Sequence, residues 1–153
     1  MNFQSFEDIL DFAIDKEKDT AVFYGNLAEK ETFSGARQMW SELAAEERKH
    51  QALLENFKNE DRSLATYAYE WIPDMKRSDY LVSVTYTPGM DFAEILRLVI
   101  KREEASLRLY NILATRTTDP ACVKLFRMLA QEEARHKQTF ETLYDDHMAR
   151  LGD

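Results

Sequence analysis

The chain has 153 residues, a net charge of −8 at pH 7, and 31% charged residues, but only four Gly and three Pro. The acidity argues against nucleic acid or an anionic membrane surface as a partner, because both need cationic side chains. The composition is typical of long helices, and the length predicts a single domain with a substantial core.

The single cysteine, Cys122, excludes a disulfide within the chain and a four-cysteine metal site, which fits a reducing compartment. No apolar run approaches the roughly 18–20 residues of a membrane span, and the first residues do not form a signal peptide. We therefore expect a cytoplasmic protein without membrane contact.

Four segments show the apolar period of an amphipathic helix. The first is predicted from the Ser5 cap to about residue 31, and the second follows a turn at 32–35 and ends near 59. The third runs from the Asp91 cap to about 115, and the fourth from Pro120 to near 152. Ser5, Asp91 and Asp119 are typical N-cap residues, and Pro120 suits the first helical position.

Residues 61–90 lose the helical period and are rich in Pro and aromatic side chains. This long connection is too apolar for a flexible linker. Its aromatic residues either cover the helices or form a homodimer interface.

Two Glu-x-x-His motifs interrupt the apolar stripes of the second and fourth helices. They are Glu47 with His50 and Glu133 with His136. Residues three apart leave one face of a helix and can bind one cation together. A lone motif of this kind is usually surface charge, but two of only three histidines lie in these motifs.

The chain also contains an internal repeat, because adding 86 to a residue number in the first half gives its counterpart in the second. The same offset relates the two Glu-x-x-His motifs to each other, and it relates Glu17 to Glu103 and Tyr24 to Tyr110. The chain therefore contains two helical hairpins of one design.

Hairpin geometry predicts that these polar residues meet. The midpoint between Glu17 and Glu47 falls in the first turn, and that between Glu103 and Glu133 falls in the second. In each hairpin, the Glu of the first helix therefore lies opposite the Glu-x-x-His motif of the second, roughly 22 Å from the turn. The long connection at 61–90 favours a crossover, and hence an all-α, ferritin-like, up-down-down-up four-helix bundle with the six residues at its centre.

The predicted metal ligands are Glu17, Glu47, His50, Glu103, Glu133 and His136. Burying four carboxylates without compensation would cost roughly several kcal/mol each, whereas two divalent cations balance them. The set matches the di-iron or di-manganese carboxylate pattern, and it suits two iron ions, or manganese, better than zinc or calcium.

Position also suggests roles within this set. Glu47 and Glu133 are candidates to bridge the metals, with one remaining Glu and one His capping each ion. Tyr24 and Tyr110 lie two turns away, where they either hydrogen-bond a ligand carboxylate or serve as ordinary core aromatics. For His147 and Cys122 we expect packing roles.

The runs from Ala13 to Tyr24 and from Ile100 to Tyr110, together with the two Glu-x-x-His motifs, resemble the rubrerythrin branch of the ferritin-like superfamily. The resemblance implies a di-iron centre that reduces hydrogen peroxide or dioxygen, with the four glutamates acting through the metals. Rubrerythrins typically append a four-cysteine iron domain, so a separate electron-donor protein is expected here. They also carry an extra Glu where this chain has Ser106.

Two alternatives remain open. Bacterioferritin has a similar six-residue site, but its haem-ligating Met corresponds to Arg48 here, and we do not expect its short fifth helix. A ferroxidase or iron-sequestering ferritin-like protein is therefore the second hypothesis. A bundle that metal stabilises without turnover is the third.

Overall fold

The computed structural model describes residues 3–59, 86–116 and 118–152. Regular structure in these ranges consists of four helices: α1 (Phe6–Lys30), α2 (Ser34–Asn59), α3 (Phe92–Thr115) and α4 (Pro120–Gly152). The chain divides into two compact units, one containing α1 and α2 and the other α3 and α4. Each is a helical hairpin, and each is described by itself.

The predicted helices are confirmed, with one difference at the start of α2. Ser34 and Gly35, predicted to lie in the turn, belong to the first turn of that helix. The backbone N–H of Arg37 donates to the carbonyl of Phe33 at 2.9 Å, which makes Phe33 the capping residue.

The first hairpin is defined by contacts at both ends. Ser5 Oγ accepts from the N–H of Asp8 at 3.0 Å and caps α1, which replaces one of the amide partners missing at a helix start. In the turn, Arg37 Nε donates to the carbonyl of Glu31 at 3.2 Å. At the open end, Lys58 of α2 forms a hydrogen-bonded ion pair with Asp11 of α1. These contacts fix the register of α1 against α2.

The second hairpin begins with a tight turn at Thr87–Met90, in which the N–H of Met90 donates to the Thr87 carbonyl at 3.2 Å. Gly89 adopts φ +94°, a backbone conformation that suits glycine at this point of a turn. Asp91 then caps α3, since its Oδ1 accepts from the N–H of Glu94 at 2.8 Å. Asp119 caps α4 by accepting from the N–H of Cys122 at 3.0 Å.

The repeat predicted from the sequence is present in the structure. α1 and α3 begin at residues 6 and 92, and α2 and α4 begin at 34 and 120, so both starts differ by 86. Equivalent positions also make equivalent contacts. The pair Asp11 and Lys58 is replaced in the second hairpin by Arg97, which donates to the hydroxyl of Tyr144 at 3.0 Å.

The helical period places one mostly apolar face of each helix inward, and most residues of these faces are buried. Four residues that share these faces are only partly buried: Thr20 on α1, Phe92 on α3, and Leu143 and His147 on α4. Cys122 is buried as expected. His147 packs edge-on against the ring of Phe92 at 5.2 Å, which confirms its packing role.

Most of the predicted crossover at 61–90, namely residues 61–85, lies outside the described residues. Within the ranges that the structure describes, no helix combines the length and apolarity needed to cross a membrane.

Candidate metal centre

The first hairpin brings together three of the predicted ligands. One ligand atom from each of Glu17, Glu47 and His50 lies within 4.8 Å of the others. His50 Nδ1 is 3.5 Å from Oε2 of Glu17 and 3.6 Å from Oε2 of Glu47. All three residues are buried, with 3% or less of their surface exposed.

The second hairpin repeats this arrangement. Ligand atoms of Glu103, Glu133 and His136 also lie within 4.8 Å of one another. His136 Nδ1 is 3.6 Å from Oε2 of Glu103. The residues are 1%, 1% and 4% exposed. Each hairpin therefore carries one imidazole and two carboxylates in a buried cluster.

The local fold explains why these side chains meet. Within each Glu-x-x-His motif, the three-residue spacing places both side chains on one face of α2 or α4. The remaining glutamate comes from the antiparallel helix, α1 or α3, at the same distance from the turn. No second ligand lies one turn away on the same helix, so a search for local motifs would miss Glu17 and Glu103, which the repeat identifies.

The spacing of the donor atoms fits a shared cation. A first-row metal with bonds of about 2.0–2.2 Å holds neighbouring ligand atoms roughly 3.0–3.5 Å apart, depending on its geometry. The observed 3.5 and 3.6 Å are close to this separation and longer than a typical N–H···O hydrogen bond. Two carboxylates and an imidazole also form a donor set suited to iron, manganese or zinc. The residues present therefore fit a metal ion.

Burial supports the same interpretation. Charged side chains are almost never fully buried unless an opposite charge or a metal compensates them. The four glutamates are each 2% exposed or less. By contrast, Glu104, which follows Glu103 directly, is exposed and lies 3.8 Å from Arg108. Neighbouring glutamates of one helix thus have opposite environments, and only the predicted ligand is buried.

An aromatic layer lies beside each cluster. Tyr24 contacts Trp40 with ring centroids 5.6 Å apart, and Tyr110 contacts Phe126 at 6.2 Å. These pairs occupy equivalent positions of the repeat, and both tyrosines are at most 1% exposed. The sequence analysis places both tyrosines two turns from the ligands but does not predict their ring contacts with Trp40 and Phe126, although the partners in each pair are equally far from the turn.

Comparison with known families supports the earlier resemblance. The rubrerythrin family model matches residues 8–144, which is most of the chain. The chain belongs to the rubrerythrin family. Members of this family are typically di-iron oxidoreductases. A comparison with curated proteins finds no match.

Two solved structures resemble this rubrerythrin-family chain. A protein from Thermotoga maritima, described as ferritin-like and diiron-carboxylate, has a TM-score of 0.77 at 19% identity and covers 96% of this chain and 99% of its own. A hypothetical protein from Pyrococcus furiosus has a TM-score of 0.70 at 26% identity, covering 92% and 89%. The likeness confirms the predicted all-α, ferritin-like fold.

Proposed function

We propose that the two buried clusters hold two iron ions in one dinuclear centre, and that this rubrerythrin-family protein reduces hydrogen peroxide, or dioxygen, with electrons from a separate donor protein. The observation that carries the proposal is the duplication of one donor set, two carboxylates and an imidazole, at equivalent buried positions. Two divalent cations balance the charge of four carboxylates, which removes most of the cost of burying them.

Each side chain has a definite task in this proposal. His50 and His136 would each hold one metal, and the Nδ1 atom of each ring faces a carboxylate in its own cluster. Glu47 and Glu133 would each add a carboxylate from the same helix as the histidine. The apolar residues around each cluster restrict the entry of water, which strengthens electrostatic interactions inside. Bound iron supplies the redox chemistry by passing between its ferrous and ferric states.

The decisive experiment measures peroxide consumption by anaerobically reduced, iron-loaded protein. We expect consumption that depends on the metal, and its loss in Glu133→Ala and His136→Ala. Glu104→Ala is the control, since Glu104 is an exposed glutamate outside both clusters. Metal-loaded wild-type protein that leaves peroxide unchanged would refute the proposal.

A second candidate function is ferroxidase activity with iron sequestration. Ser106 favours it, because this buried residue of α3 occupies the position where rubrerythrins carry an additional glutamate. A ferroxidase should consume dioxygen with added ferrous iron and form a large shell, which size-exclusion chromatography with light scattering detects. A monomer or dimer that consumes peroxide supports the first candidate.

The third hypothesis, a structural metal site, makes a separate prediction. Chelation would lower the melting temperature, but peroxide would cause no change in the oxidation state of the bound metal. Metal analysis with manganese and iron in competition then decides which of the two ions the protein prefers.

A further inference from the structure

The aromatic layer of the first hairpin lies at a defined distance from the metal ligands. Tyr24 follows Glu17 by seven residues on α1, and Trp40 precedes Glu47 by seven on α2. Seven residues correspond to about 10 Å along a helix, or two turns on the same face. The two rings are in contact at 5.6 Å with an interplanar angle of 31°, and they are 0% and 2% exposed.

The two hairpins differ chemically at this layer. The equivalent pair in the second hairpin is Tyr110 and Phe126, stacked at 6.2 Å with an interplanar angle of 14°. Indole and phenol rings can give up one electron to a strong oxidant, whereas the phenyl ring of Phe126 cannot under the same conditions. Phe and Trp both fill a core position as large aromatic side chains. Packing alone therefore does not require an indole at residue 40.

We propose that Tyr24 and Trp40 form a one-electron donor pair for the cluster of Glu17, Glu47 and His50. This inference rests on the proposed function. Hydrogen peroxide takes up two electrons and two protons to become two water molecules. When the centre holds only one electron, the pair supplies the second, which leaves the indole of Trp40 and reaches the oxidant by way of Tyr24.

Protons and electrons balance in this step. The oxidised indole releases its Nε1 proton to water and remains as a neutral radical. An external reductant later returns one electron, and water returns the proton, which restores Trp40. The second hairpin contributes no such donor pair, because Phe126 replaces the indole. The two hairpins are thus alike in their metal ligands and different in their supply of electrons.

The test uses the full chain with Trp71→Phe, which leaves Trp40 as the single tryptophan because the sequence contains two. The iron-loaded protein is reduced by one electron per centre, mixed with hydrogen peroxide and frozen for electron paramagnetic resonance. We expect an indole radical signal, assigned by ring-deuterated tryptophan. The signal should be lost in Trp40→Phe and reduced in Tyr24→Phe.

A gain-of-function variant separates this role from packing. Trp40→Phe gives the first hairpin the aromatic pair that the second already has. Adding Phe126→Trp to that variant builds the pair on the other side, and the indole radical should return. Melting temperature and metal content, measured on each variant, should stay close to those of the Trp71→Phe parent.

Three outcomes would contradict the inference, and they are distinguishable. If the Trp71→Phe protein consumes peroxide but shows no indole radical, the donor pair is refuted and the proposed function stands. If metal-loaded protein consumes no peroxide at all, the proposed function is refuted, and no oxidant remains to take an electron from Tyr24 and Trp40. A radical signal that is unchanged in Trp40→Phe, which then has no tryptophan, would show that the signal does not come from an indole and would also contradict the inference.

Discussion

Replacing Glu17 by glutamine should stabilise the metal-free protein and weaken its further stabilisation by metal. Glu17 is 2% exposed and shares its cluster with a second carboxylate, that of Glu47. Burying an ionised carboxylate costs several kcal/mol, whereas a buried amide costs about 1–3 kcal/mol. We therefore expect Glu17→Gln to raise the unfolding free energy of the metal-free protein by about 1–3 kcal/mol.

The corresponding change in melting temperature is measurable. For a chain of this length, 1 kcal/mol shifts the midpoint by about 2–4 °C, so the metal-free variant should melt about 2–12 °C higher than wild type. With free metal a hundredfold above the dissociation constant, binding should stabilise wild type by about 2.7 kcal/mol. Glu17→Gln removes a charged ligand, and the metal-induced rise should shrink to less than half.

Thermal unfolding followed by circular dichroism, with chelator and with excess ferrous or manganous ion under anaerobic conditions, measures both effects. Glu29→Gln is the control, because Glu29 is an exposed glutamate of the same helix, and it should change neither midpoint. The reasoning fails if Glu17→Gln lowers the metal-free and metal-loaded midpoints equally. Glu17 would then be a structural partner of His50 and not a ligand.

Two further predictions follow from the contacts of each hairpin. Wild-type protein should bind two metal ions per chain by elemental analysis, and His50→Ala or His136→Ala should each lower this to about one; two ions in either variant would contradict the assignment of that histidine. The hydrogen bond from Lys58 to Asp11 raises the pKa of Lys58 above its usual 10.5. The pair therefore stabilises the folded protein fully below pH 10.5, and this stabilisation is lost as the pH rises through the raised pKa. Denaturant midpoints of wild type and Lys58→Met should accordingly differ at neutral pH and converge at strongly alkaline pH, and an unchanged difference would exclude the pair as its cause.

The helices and clusters were predictable because their signals are local or repeated. Caps such as Ser5 and Asp91 mark helix starts through a side chain and an amide three residues apart, and this spacing is visible in the sequence. The antiparallel hairpin then fixes which residues are level. Glu17 could be matched to Glu47 because both are equally far from the turn, without any knowledge of side-chain contacts.

The helical period continues the inward face of α4 to His147, but this residue is only half-buried. Burial along the whole face would need a partner helix of the same length, and α3 begins only at Phe92. The residue of α4 that lies opposite Phe92 is Tyr144, because Phe92 and Tyr144 are equally far from the second turn. Residues beyond it therefore extend past the start of α3, which leaves His147 half-buried against the Phe92 ring. Periodicity alone does not indicate where the partner ends.

The repeat separates the requirements of core packing from those of metal binding. Buried positions of the two hairpins exchange residues of different size: Ala13 with Val99, Trp40 with Phe126, and Leu54 with Phe140. An apolar core tolerates such exchanges when neighbouring volumes compensate. Other buried apolar positions keep the same residue, such as Leu10 with Leu96 and Leu27 with Leu113, so identity alone does not indicate a metal. The metal-ligand candidates differ from these because they place carboxylates at buried positions, with the same type and spacing in both hairpins. Hydrophobic packing does not favour buried charge, and the proposed pair of equivalent cations would require these donor atoms in both hairpins.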